Sequence, residues 1–170
     1  TMEQDGSNPI RINCVILNFN DGETVTRLVH MIHDYDYLEK IVLVDNHSTD
    51  DSWEQLQVLK DEKVDLIRTE KNGGYGYGNN TGIRYAIEHK ADYIFQTDSD
   101  GQTNPDEFEA FWKKRNTYDA IIGNRKVRGD GKSRKFVENT VCLLLRLIFR
   151  VKIPDANAPF RLMRTDLVKK

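Results

Sequence analysis

Five short apolar runs rich in β-forming residues recur along the chain, at residues 10–17, 41–44, 64–68, 91–97 and 120–122. Each is followed by a segment that suits a helix. Residues 23–33 carry Val25, Leu28, Val29 and Ile32 near helical spacing, and residues 48–52 supply capping side chains ahead of Trp53, Leu56 and Leu59. Residues 82–89 set Ile83 and Ile87 on one side, and Pro105 precedes Phe108, Phe111 and Trp112 as a first-turn proline would. Strands joined through helices run parallel in one sheet that is covered on both faces. The expected fold is α/β, with a Rossmann-like, mostly parallel central sheet, and ligands of such sheets bind beyond the carboxyl ends of the strands.

The loops at those carboxyl ends hold the chemistry. The fourth run stops at Asp98-Ser99-Asp100, with Gly101 and Gln102 to turn the chain. Two carboxylates two residues apart offer oxygen ligands to a hard divalent cation, Mg²⁺ or Mn²⁺; the same residues also make an ordinary solvated turn. After the first run come Asn18, Phe19, Asn20, Asp21 and Gly22, amides and a ring suited to a heterocycle. After the second comes Asp45, which can accept from a base N–H or cap the following helix. Residues 72–80 place four glycines and three amides, Gly74 and Asn79 among them, before a helix, so that backbone N–H groups can approach phosphate. This is neither a Rossmann G-x-G-x-x-G after a first strand nor a Walker A loop with its Lys-Ser/Thr.

At 170 residues with 38% hydrophobic content, the chain suits one domain. The net charge of −2 hides an asymmetry. From Asn124 to Lys152 nine basic residues face only Asp130 and Glu138, which points to anionic phosphate ligands or an anionic membrane surface rather than nucleic acid. Cys14 and Cys142 lack metal-ligand spacing and read as buried thiols of a reducing compartment. Residues 1–9 are polar and read as a disordered or tag-like start, and no run reaches the ~18 apolar residues of a membrane span. In residues 137–153 the apolar residues Val141, Leu143, Leu144, Leu145, Leu147, Ile148 and Phe149 are interrupted by Arg146 and Arg150, and the segment suits either a core helix or one at a membrane interface. The chain ends at Leu167–Lys170 inside what reads as a new helix, so a truncated C-terminus is expected. His30, His33, His47 and His89 share no metal spacing.

Four motifs in order, at residues 17–21, 44–50, 72–75 and 98–102, resemble the nucleotide-sugar domain of family 2 glycosyltransferases, which have the GT-A fold. The likeness covers roughly residues 10–165. It implies that Asn18, Asn20 and Asp45 line a nucleoside pocket, with Gly74 and Asn79 beside the donor. It also implies that Asp98 sits near ribose and diphosphate, and that Asp98, Asp100 and Gln102 hold the metal. Further on, Gly123-Asn-Arg125, Arg134 and Asp155-Ala-Asn-Ala-Pro-Phe-Arg161 resemble the polyprenyl-phosphate sugar transferases of the dolichol-phosphate mannose type. There the acceptor is a lipid phosphate, which Arg125, Arg134 and Arg161 would orient. Asn124, Pro159 and Glu138 depart from that pattern, and an anionic Glu138 disfavours an anionic acceptor.

The resemblance divides the chain into a donor and metal core at 10–123 and a basic acceptor-side segment at 124–170. It implies an inverting transfer from a nucleotide-diphosphate sugar to a polyprenyl phosphate or a cell-envelope glycan, in the cytoplasm or at the cytoplasmic face of the membrane. Asp155 is the candidate general base; its competing role is to pair with Arg161. The alternatives are a non-catalytic nucleotide-sugar-binding domain and a nucleotidyltransferase. The latter wants a glycine-rich loop after the first strand, and residues 18–22 do not provide one.

Overall fold

A computed structural model describes residues 10–98, 108–117, 120–123 and 161–169. In chain order the elements are β1 (Ile12–Asn18), α1 (Gly22–Ile32), β2 (Lys40–Asp45), α2 (Ser52–Gln57), β3 (Val64–Arg68) and α3 (Tyr75–Glu88). They continue with β4 (Tyr93–Asp98), α4 (Phe108–Lys113), β5 (Ala120–Ile122), β6 (Arg161–Arg164) and α5 (Thr165–Val168). The six strands form one sheet in the order β3-β2-β1-β4-β6-β5. The pairs β1–β2, β2–β3 and β1–β4 are parallel, and β6 runs antiparallel to β4.

Side chains alternate across the pleat, so each strand feeds two cores. Ile12, Cys14 and Ile16 of β1, with Ile41 and Leu43 of β2 and Phe95 of β4, pack against Val25, Leu28, Val29 and Ile32 of α1, Leu56 of α2 and Trp112 of α4. The alternate residues, Val15, Leu17, Val42, Val44 and Ile94, meet Ile83, Ala86 and Ile87 of α3 on the other face. Each buried aliphatic side chain contributes on the order of 1.5–3 kcal/mol. This sheet between two helical layers is the expected architecture. Burial pushes the Cys14 thiol well above the ordinary cysteine range.

Two elements differ from the sequence expectation. The glycine-rich stretch after β3 is not all loop, because α3 begins at Tyr75 and takes in Gly76, Gly78 and Gly82. A Cβ on Gly78 would stand 2.3 Å from Leu17 Cδ1, and one on Gly82 would stand 2.4 Å from Val15 Cγ1. The absent side chains let the helix lie down on β1 and β2, and this packing outweighs the poor helix propensity of glycine. The second difference is β6, whose sequence Arg-Leu-Met-Arg gives no apolar run. The expected first-turn role of Pro105, the flexible stretch at 127–135 and the apolar segment at 137–153 lie outside the described residues.

The chain divides into two compact units, Thr1–Ile121 together with Phe160–Lys170, and Ile122–Pro159. The sheet core described above belongs to the first. No helix among the described residues is long and apolar enough to cross a membrane.

Candidate functional site

The registers set the strand ends in a row. Asn18 pairs with Asp45 across β1–β2, Asp45 with Arg68 across β2–β3, and Leu17 with Asp98 across β1–β4. Four strands therefore end at one edge of the sheet. Arg161 opens β6 opposite Gln96 of β4, which brings it to the same edge.

Asp45 is the centre of this row and is fully buried. Its Oδ1 accepts from Asn18 Nδ2 at 2.9 Å and from the Ser48 hydroxyl. Its Oδ2 accepts from the Ser48 backbone N–H at 3.2 Å and lies 3.4 Å from Arg68 Nε. A buried carboxylate needs such partners, since leaving one unpaired costs several kcal/mol. Asp45 thus closes the turn after β2 and does not cap α2; Asp50 lies nearer that helix, accepting from the Ser52 N–H at 3.0 Å. The bonds to the Ser52 side chain and backbone hold the exposed Asp50 carboxyl below its ordinary range.

Ser48 joins the first two loops. Its hydroxyl accepts from Asn18 Nδ2 at 3.1 Å and from the Asn20 backbone N–H at 3.0 Å. Asn20 adopts a left-handed conformation with φ of 53°, which asparagine tolerates. Its Oδ1 accepts from the Thr49 backbone N–H at 2.8 Å. Gly22 at the start of α1 donates its N–H to Ser52 Oγ at 2.9 Å, and a Cβ there would come within 2.8 Å of Ser52 Cα. The β1–α1 and β2–α2 loops are consequently one hydrogen-bonded unit. Phe19, between Asn18 and Asn20, is left exposed.

Arg68 holds the third strand to this unit. Its Nη2 donates to the Ser48 carbonyl at 2.9 Å, and its guanidinium carbon sits 5.0 Å from the ring centroid of Trp53. Asn46 ties in the glycine-rich segment, donating to Asn72 Oδ1 at 3.0 Å and to the Gly74 carbonyl at 3.2 Å. Gly74 has φ of 84°, a conformation that favours glycine. Asn79 is buried on α3, and neither its amide nitrogen nor its amide oxygen has a hydrogen-bond partner among the described residues. Gln96 of β4 donates to the Tyr75 hydroxyl at 3.3 Å.

Of the residues singled out from the sequence, Asn18, Asn20, Asp45 and Gly74 belong to this connected set. Asp98 ends β4 and Arg161 starts β6 at the same edge. Asp100, Gln102, Arg125, Arg134 and Asp155 lie outside the described residues. Ser48, Asn46 and Arg68 were not assigned to the site by sequence. The signal for Arg68 was a cation ending a strand directly opposite Asp45, which becomes visible only once β2 and β3 are paired. No group of three or more His, Cys, Asp or Glu that could hold a metal ion occurs among the described residues.

Residues 14–170 match the sequence profile of "Glycosyl transferase family 2". The chain belongs to this family. It is 24% identical over 168 residues to an undecaprenyl-phosphate mannosyltransferase of Micrococcus luteus, covering 94% of this chain and 69% of that protein. It is 31% identical over 133 residues to the poly(ribitol-phosphate) β-N-acetylglucosaminyltransferase TarP of Staphylococcus aureus, covering 72% of this chain but 39% of that protein. Among solved structures, glucosyl-3-phosphoglycerate synthase of Mycobacterium tuberculosis, with Mn²⁺, UDP-glucose and glycerol 3-phosphate, superposes with a TM-score of 0.71. Identity to it is 15%, with 98% of this chain and 64% of that one covered. The mannosyltransferase PcManGT of Pyrobaculum calidifontis, in complex with GDP-mannose and Mn²⁺, gives a TM-score of 0.64 at 17% identity, with coverages of 98% and 49%. The fold of this family 2 chain is GT-A. It spans about two fifths to two thirds of the length of most of these proteins.

Proposed function

We propose that this chain is the donor-binding part of an inverting glycosyltransferase that takes a sugar from a nucleotide diphosphate and passes it to a polyprenyl phosphate or a cell-envelope glycan. The observation that carries the reading is the row Asn18–Asp45–Arg68 at the carboxyl edge of the sheet, with Asp98 one register step behind it on β4. A polar floor built before any ligand arrives costs no reorganisation on binding. The exposed Phe19 ring and the exposed Asn20 beside it suit a nucleoside, with the buried Asn18 amide holding the loop that carries them. Any base N–H that reaches Asp45 has to share or replace the Arg68 contact, because the other bonds to this carboxylate come from buried groups.

The ligand set proposed for the metal, Asp98, Asp100 and Gln102, is all oxygen and suits Mg²⁺ or Mn²⁺. The ion would supply charge stabilisation for the departing diphosphate. The acceptor oxygen attacks the anomeric carbon from the face opposite the leaving group, so one displacement inverts the centre. A phosphate acceptor arrives already anionic, with Arg125, Arg134 and Arg161 as its proposed partners. A hydroxyl acceptor needs a base, for which Asp155 is proposed. The M. luteus mannosyltransferase supports the lipid phosphate and TarP supports the glycan.

Calorimetry with UDP, GDP and dTDP in parallel, with and without Mn²⁺, tests the donor side. Metal-dependent binding of one nucleotide is expected, and Asp100→Ala should abolish it; unchanged affinity and metal dependence in the variant would sink the metal assignment. Transfer is tested by incubating the full-length protein with sugar nucleotides and a membrane lipid extract, where release of nucleotide with a labelled lipid or glycan is the expected result.

A further inference from the structure

At the opposite, amino edge of the sheet, His33 stands between two carboxylates. Its Nε2 lies 2.7 Å from Asp61 Oδ2 and its Nδ1 lies 3.2 Å from Asp34 Oδ1. Ionised carboxylates only accept hydrogen bonds, so both contacts are satisfied together only when both ring nitrogens donate, as an imidazolium does. Each partner is held in place. His33 follows α1 directly, with its backbone N–H on the Val29 carbonyl at 2.8 Å. The other oxygen of Asp61 accepts from the backbone N–H groups of Lys63 and Val64 at 2.8 and 2.7 Å, so this carboxylate cannot turn away from the ring.

We infer that His33 is a pH-sensitive staple that ties the α1–β2 connection to the α2–β3 connection while its imidazole is charged and loosens that tie when it is neutral. A neutral ring would leave a nitrogen lone pair facing one of the two carboxylates. The charged groups around it come from both connections: Asp34 beside it, and Asp61 and Lys63 across from it. The Lys63 ammonium donates to the carbonyls of His33 and Tyr35, with Asp36, Asp34 and Asp61 as its counter-charges, and so ties the same two connections; burial holds its value below the ordinary lysine range. Lys63 opposes the charge on the ring, but the two carboxylates outweigh it.

The hydrogen bond to Asp61, then that to Asp34, raises the His33 value above the ordinary ~6.5. Its contribution to stability is therefore complete below ~6.5 and is lost as the pH rises through the raised value. Asp61 is lowered, chiefly by its bond to His33, so its share holds above ~3.9 and is lost as the pH falls through the lowered value. The staple is closed between those limits.

The test is an imidazole NMR titration of the whole chain, with His30, His47 and His89 as internal comparisons, combined with hydrogen exchange of residues 33–38 and 61–64. In the wild type His33 should titrate above ~6.5, and exchange of both segments should quicken beyond its midpoint. Asp61→Asn keeps an oxygen for the Lys63 and Val64 amides while removing the charge, and should shift the His33 midpoint downward and abolish the pH step in exchange. Asp34→Asn should give a smaller downward shift with the fold intact. A wild-type His33 that titrates at ~6.5, or a midpoint unmoved in both variants, would overturn the staple.

Discussion

The hydroxyl of Ser48 donates to Asp45 and accepts from the Asn18 amide and the Asn20 backbone, so its removal weakens three neighbours together. Ser48→Ala is expected to lower unfolding stability by about 1–3 kcal/mol, read from the urea midpoint at unchanged m-value. Threonine at the same position keeps the oxygen and should recover part of the loss. Arg68 differs in kind, because its side chain is about a third exposed and its ion pair with Asp45 is screened accordingly. Arg68→Ala should still cost about 1–3 kcal/mol of stability, because it strips the fully buried Asp45 of its cation and the Ser48 carbonyl of its donor. If the proposed donor site is right, nucleotide affinity should fall by a larger factor than stability does, and calorimetry on the folded variant reads the difference.

The glycines of α3 allow a test by sign. Gly76 has open space where a Cβ would go, so Gly76→Ala should stabilise by about 0.5–1 kcal/mol through helix propensity alone. Gly78→Ala and Gly82→Ala drive a methyl group into Leu17 or Val15 and should destabilise by about 1–3 kcal/mol. Thermal melts of the three variants distinguish a packing role from a flexibility role, since flexibility would give all three the same sign. The same residues show where sequence reading stops. Strands β1, β2 and β4 were legible because a strand buried on both faces has to be almost wholly apolar. The start of α3 was not, because glycine reads as a loop former unless the surface pressing on it is known. β6 was missed for a related reason: among its residues only Leu162 is fully buried. In the candidate site, Asn18, Asn20 and Asp45 were legible as polar residues at the ends of apolar strands. Arg68 and Ser48 gained meaning from the strands and turns beside them, which is information about neighbours in space.

On the scale of the whole molecule, Cys14 reports on the sheet. It lies in the middle of β1 with no exposed surface, and burial keeps its thiol protonated at neutral pH. Labelling followed by peptide mass analysis should find Cys14 unreactive toward thiol reagents in the native state and modified only as the protein unfolds; rapid native labelling would contradict the packing of the core. The pairing of Gln96 with Arg161 carries a further consequence. β6 fills the place between β4 and β5, so β5 is joined to the parallel strands only through it. A chain lacking Arg161–Arg164 would present β4 as a bare edge, with unpaired N–H and C=O groups open to a strand of another molecule. The short β6 therefore also guards the sheet against association.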